Sequence, residues 1–285
     1  MNAILGPTLE LTVLLPGMLL AYLPVIPCLK QSPRRLAAWL APLLLALCIL
    51  GGMLCRALEC PTRPVLFALL PPAMMLYHKT LRISLWKSVS IFLAVCAVFA
   101  CVNSFCRAIN AVLAAGLPPS RAALWFQPAA GILYNGICLL FLLAAWYPAT
   151  HSVQMMIEDQ NFAHTWYIFW ILPMLFIGLN IFMVPTCHDT LYTGRILQIY
   201  IVLSLILLVI LILFYAMFLL MANSLNRNAR LQQANHFLLL QQTRYDSLRT
   251  AIEEARQARH DMRHHFLQLS ALAEQGDIEK IRTYL

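Results

Sequence analysis

Long apolar runs separated by short polar connectors fill the chain from Leu9 to Met221. The clearest is Ile196 to Met221, in which Gln198 is the only strongly polar side chain. Leu9 to Leu29, Leu36 to Cys55, Ser88 to Cys106, Leu124 to Tyr147 and Thr165 to Pro185 have the same character. Each approaches the roughly 20 residues that a helix needs to cross hydrocarbon. A helix of a water-soluble domain would confine its apolar residues to one stripe, whereas these runs are apolar all round. A shorter run, Pro64 to His78, contains Pro71 and Pro72, and predicts either a further crossing or a re-entrant segment. The pattern therefore predicts an all-α fold, with a polytopic transmembrane helical bundle of 6–7 spans over residues 1–221.

From Asn223 the pattern changes, as Arg, Gln, Asn and Glu displace Leu and Ile, and no Pro or Gly occurs until Gly276. This predicts a long water-exposed helix. Leu231, Leu238, Tyr245, Ile252 and Phe266 fall on one heptad position, and Ala234, Leu248, Ala255, Met262 and Leu269 on another, interrupted by Gln241 and Arg259. An apolar seam sustained over about six heptads calls for a partner helix, most simply that of a second copy. Residues 222–258 are thus expected to form a cytoplasmic coiled-coil signalling helix in a homodimer. The alternative is an amphipathic helix folded against its own molecule.

Composition agrees with a bilayer environment: 61% of the 285 residues are hydrophobic and 11% charged, against about 25% charged in soluble domains. The net charge of +8 would fit nucleic acid if it formed one face, but the basic residues are scattered over connectors and tail, so no nucleic-acid partner is expected. With an outside N-terminus and seven spans, Lys30, Arg34, Arg35, Lys79, Arg82, Lys87, Arg227 and Arg230 fall on the cytoplasmic side. Arg56, Arg63, Arg107, Arg121 and Arg195 then form a smaller outside set. No Lys or Arg precedes Lys30, so the first span lacks the charged leader of a signal peptide. The nine cysteines all lie in or beside the apolar section without a CxxC pair, and read as small packing residues.

Within the spans, Asn103, Gln127, Asn135 and Asn180 stand out as polar groups at membrane depth. They are candidate ligand contacts, although hydrogen bonding between helices is the simpler role for each. Charged residues are nearly absent from the runs as bounded above, which disfavours a transporter.

The tail carries Arg259-His260-Asp261-Met262-Arg263-His264-His265. The heptad register puts Met262 in the seam and His260 and His264 one turn apart beside it. A neutral imidazole next to a carboxylate and open to a bulky donor is what a phosphoryl acceptor needs. The same residues approximate HExxH, but the shorter Asp, the cationic Arg263 and the lack of a third ligand argue against a metal.

This stretch, with the Phe266-Leu267-Gln268-Leu269 that follows, resembles the phosphoacceptor box of bacterial sensor histidine kinases in the group that includes peptide-pheromone receptors. In that group the box runs Arg-His-Asp, two variable residues, then Asn-His, and His264 here stands in place of the Asn. The resemblance implies that His260 is the phosphoacceptor, Asp261 its acid/base helper, and His264 a residue bearing on dephosphorylation or orientation. It also implies ATP with Mg bound by a GHKL-type domain, as in gyrases and Hsp90 chaperones, and a response regulator as partner. The expected ligand is extracellular or membrane-borne, a peptide by family analogy, and the expected location a bacterial cell membrane with a cytoplasmic C-terminus. Residues 259–285 read as the start of a dimerisation and histidine-phosphotransfer hairpin, and the chain is expected to be truncated before the ATP-binding domain and inactive alone. The alternatives are a membrane-anchored coiled-coil scaffold or non-catalytic receptor and, behind them, a transporter.

Overall fold

The computed structural model describes residues 2–113, 125–158, 165–183 and 195–274. They divide into two compact units, Met1–Ala222 and Asn223–Leu285. All the regular elements among the described residues are helical, with a single isolated bridge between Leu29 and Leu81.

In the first unit, α1 (Asn2–Leu11), α2 (Leu14–Tyr22) and a 3-10 segment (Leu23–Cys28) make one nearly continuous helical path. Then follow α3 (Pro33–Ala57), α4 (Thr62–Thr80), α5 (Leu85–Leu113) and α6 (Pro128–Pro148). A π-helical turn at Ala149–Val153 leads into the short α7 (Gln154–Glu158). The chain continues with α8 (Trp166–Phe169), α9 (Ile171–Met183) and α10, which starts at Ile196 and remains helical to Glu274. Pro33 and Pro128 open α3 and α6 in their first turns, where the missing N–H has no intrahelical acceptor to lose.

Six helical stretches are long and apolar enough to cross a membrane: Leu5–Cys28, Pro33–Ala57, Leu85–Leu113, Pro128–Glu158, Trp166–Met183 and the apolar part of Ile196–Ala271. The boundaries differ from the sequence expectation in instructive ways. The helix of Ser88 to Cys106 extends to Leu113, so Arg107 belongs to it instead of to a connector. The stretch beginning at Thr165 is interrupted at Trp170, which caps α8 by donating its indole N–H to the Tyr167 carbonyl at 2.9 Å. Leu124, Arg121, Pro185, Cys187 and the hairpin segment 275–285 lie outside the described residues.

Pro71 and Pro72 do not break the seventh run, since α4 passes through both. They leave the Phe67 and Ala68 carbonyls without their usual donors, a loss that membrane-type helices tolerate when neighbours pack closely. α4 is held at both ends. Beside its start, the Trp125 indole donates to the Cys60 carbonyl at 3.1 Å. At its end, Tyr77 donates to the Ala21 carbonyl and Tyr22 pairs with Thr80, each at 2.8 Å. The Leu81 bridge then ties this end to the segment after Cys28, with Arg82 N–H on the Cys28 carbonyl at 2.9 Å.

Besides two smaller clusters, two large ones make most of the core. One gathers Val98, Val102, Tyr134, Leu142 and Leu211 from α5, α6 and α10. The other gathers Tyr22, Leu40, Tyr77, Phe92 and Trp166 around α2. Close approach depends on glycine where α3 meets α1: a Cβ at Gly52 would stand 2.3 Å from Thr8 Cγ2. Outward faces carry Leu50, Leu140, Leu143, Phe182 and Leu213, all exposed, a density of apolar surface that water does not support and lipid does.

Candidate functional site

The tail histidines sit on an unbroken stretch of α10. Nothing in the local sequence interrupts the helix, so residues four apart share a face, and His260 and His264 do so. The His260 side chain is 80% exposed and that of Asp261 61%. His260 Nδ1 lies 3.6 Å from Asp261 Oδ1, just beyond hydrogen-bond range. With Nδ1 turned toward the carboxylate, Nε2 is the ring nitrogen left facing solvent. The arrangement is an exposed imidazole with a carboxylate beside it and open space around the ring.

The seam residues of the tail are exposed as well: Leu231, Leu238, Tyr245, Leu248, Ile252, Met262 and Phe266 are each more than half accessible in the single chain. The second unit therefore displays an apolar stripe and a histidine face on one helix. Among the described residues, no group of three or more His, Cys, Asp or Glu is placed to hold a metal ion.

The intramembrane amides divide by environment. Asn135 donates to the Leu9 carbonyl at 2.7 Å and the Gly131 carbonyl at 2.9 Å, and accepts from Thr12 at 3.1 Å, which ties α6 to the first helical path. Asn180 accepts from Ser104 at 2.8 Å and donates to Cys101 Sγ and the Phe176 carbonyl. Gln127 caps α6, and its backbone N–H donates to Asn110 Oδ1 at 2.8 Å. Asn103 accepts from Arg107 Nε at 3.1 Å. Only Asn103 and Asn180 of these four line the same cavity, between α2, α4, α5, α6 and α9.

Sequence reasoning passed over a buried charge. Glu10 of α1 forms an ion pair with Arg107 of α5, with 4% and 13% of their side chains exposed. The Arg107 guanidinium also sits 4.9 Å from the centre of the Phe126 ring. The expectation that the spans are almost free of charge is corrected here, because both residues lie inside stretches able to cross a membrane. Glu10 was visible as the only acidic residue before Glu59. What concealed Arg107 was a boundary drawn at Cys106. The described cysteines are unbridged, and Cys48, Cys55, Cys101, Cys106 and Cys138 are buried.

Comparison with protein-family models, with curated proteins and with solved structures found no match for this chain.

Proposed function

We propose that the chain is the sensing and phosphoacceptor part of a membrane-bound sensor histidine kinase. The observation that carries this reading is the Arg259–His265 stretch, in which an exposed imidazole has a carboxylate beside it and a second histidine one turn further on the same helix. In this reading α4 is a seventh crossing, the N-terminus lies outside and the tail is cytoplasmic. The exposed seam pairs with that of a second copy, which makes the signalling unit a dimer.

In the proposed reaction, His260 Nε2 attacks the γ-phosphorus of ATP held with Mg by a GHKL-type domain; the new N–P bond forms as the bond to the β-phosphate oxygen breaks and ADP leaves. Asp261 accepts the Nδ1 proton and orients the ring. A response-regulator aspartate then takes the phosphoryl group from nitrogen to oxygen. A ligand that alters packing in the first unit changes the presentation of His260 through α10, an order of events that other helical switches follow.

The test is transfer of radiolabelled phosphate from ATP to this chain, with the ATP-binding domain of a related kinase supplied in trans. Acid-labile, base-stable label that disappears in His260→Gln supports the reading. Absence of label with several competent donor domains overturns it and leaves a membrane-anchored scaffold as the better description.

A further inference from the structure

The buried ion pair belongs to a larger polar group formed by the last turn of α1, the C-terminal part of α5 and the starts of α4 and α10. Arg63, in the first turn of α4, lies within electrostatic range of Arg107, Glu10 and Tyr200. Glu10 cancels the charge of Arg107 through one carboxylate oxygen, and its other oxygen is buried without a hydrogen-bond partner. Arg63 makes no hydrogen bond and no ion pair with any described residue. Among the described residues the group thus carries one uncompensated positive charge. Arg63 also lines the cavity that Asn103, Ser104 and Asn180 edge on the polar side and Leu14, Phe92 and Phe99 on the apolar side. Its volume is about 160 Å³, close to that of a protein cavity that takes one benzene ring.

We infer that this cavity binds a small amphiphile made of one carboxylate and one compact apolar group, with Arg63 pairing the carboxylate. Three features select that chemistry. Arg63 is half-buried in the first turn of α4 and lines a largely apolar cavity, where a partly desolvated cation favours a counter-charge, so the occupant brings negative charge. A single net charge suits a carboxylate better than a doubly charged phosphate monoester. The volume admits one ring or branched alkyl group, while the apolar walls gain little from a bare inorganic anion. Guanidinium and carboxylate also match in shape, giving two parallel N–H donors to two oxygens.

This proposal deepens the sensor reading by naming a ligand class for the first unit, and it rests on that reading only for its consequence, because binding is measured without phosphotransfer. The probe is 3-phenylpropionate, titrated into the purified chain in zwitterionic nanodiscs at low chloride. Its neutral amide, 3-phenylpropanamide, serves as control, and binding is followed by saturation-transfer NMR and calorimetry. The acid should bind at least tenfold more tightly than the amide. Arg63→Gln should remove that preference without moving the thermal unfolding midpoint, and Arg63→Lys should retain part of it. Decanoate and N-acetyl-phenylalanine then separate a fatty-acid source from a peptide-terminus source by which competes better.

Equal binding of acid and amide, or an acid preference that survives Arg63→Gln, overturns the proposal. So does displacement of the probe by chloride alone at equal concentration, which marks a simple anion site. None of these outcomes touches the His260 label, and loss of that label leaves the ligand preference intact, so the two readings fail separately.

Discussion

Glu10 and Arg107 face each other with 4% and 13% of their side chains exposed, whereas His260 and Asp261, also a basic group beside a carboxylate, stand 80% and 61% exposed. The first pair joins residues distant in sequence and lies within stretches able to span a membrane. The second joins neighbours on one helix turn. Environment decides what each pairing does. Water screens the tail pair, so its contribution to stability is small and its groups stay free for chemistry. In the membrane unit the same kind of charge is desolvated, and each member must keep its partner or another counter-charge.

The most severe way to break this contrast is to remove one buried charge. Glu10→Gln should destabilise the membrane unit by about 3–5 kcal/mol, because it leaves Arg107 buried and unpaired. Thermal unfolding in detergent would read this, and the double variant Glu10→Gln with Arg107→Met should regain most of the loss. If the single variant melts as the parent does, water reaches this pair and the contrast with the tail disappears.

Packing gives the next effect. Gly52→Val places a side chain against Thr8, where even a Cβ has no room, and should cost about 1–3 kcal/mol in the same assay. Asn180→Ala removes the acceptor of Ser104 and should cost about 1 kcal/mol, given how modest interhelical hydrogen bonds in membranes are.

In the tail, stability and function should separate. Replacing Leu238 and Leu248 by Asp puts charges into the seam, and sedimentation in detergent should then show a monomer where the parent is a dimer. A parent that is already monomeric would remove the coiled-coil reading. His260→Gln is the mildest change for folding, expected within about 0.5 kcal/mol of the parent as for exposed sites generally, and yet it should abolish phosphate labelling.

Legibility followed the range of the interactions. The helix built around Leu36 to Cys55 was readable because lipid rewards apolarity at every position, so a local window carries the signal. The histidine stretch was readable because its members are within one turn. Asn135 and Asn180 were recognised as polar at membrane depth, but their partners, Leu9, Thr12, Ser104 and Cys101, come from segments far along the chain, which no local pattern reports. α4 was left open by the sequence, as a crossing or a re-entrant segment. Two prolines predict a break when only backbone donors are counted, and the helix persists among neighbours anchored at Cys60, Ala21 and Cys28.

By itself the sequence determined that this protein is helical, has six or seven apolar stretches suited to a bilayer, and changes character after Met221, since these properties depend on composition and period along the chain. Only the tertiary structure decided which polar groups meet. It paired Glu10 with Arg107 across two helices and left Arg63, at the edge of a cavity, without a counter-charge among the described residues. The physical reason is that desolvation makes a charge's partner decisive, and partners are chosen by packing in three dimensions.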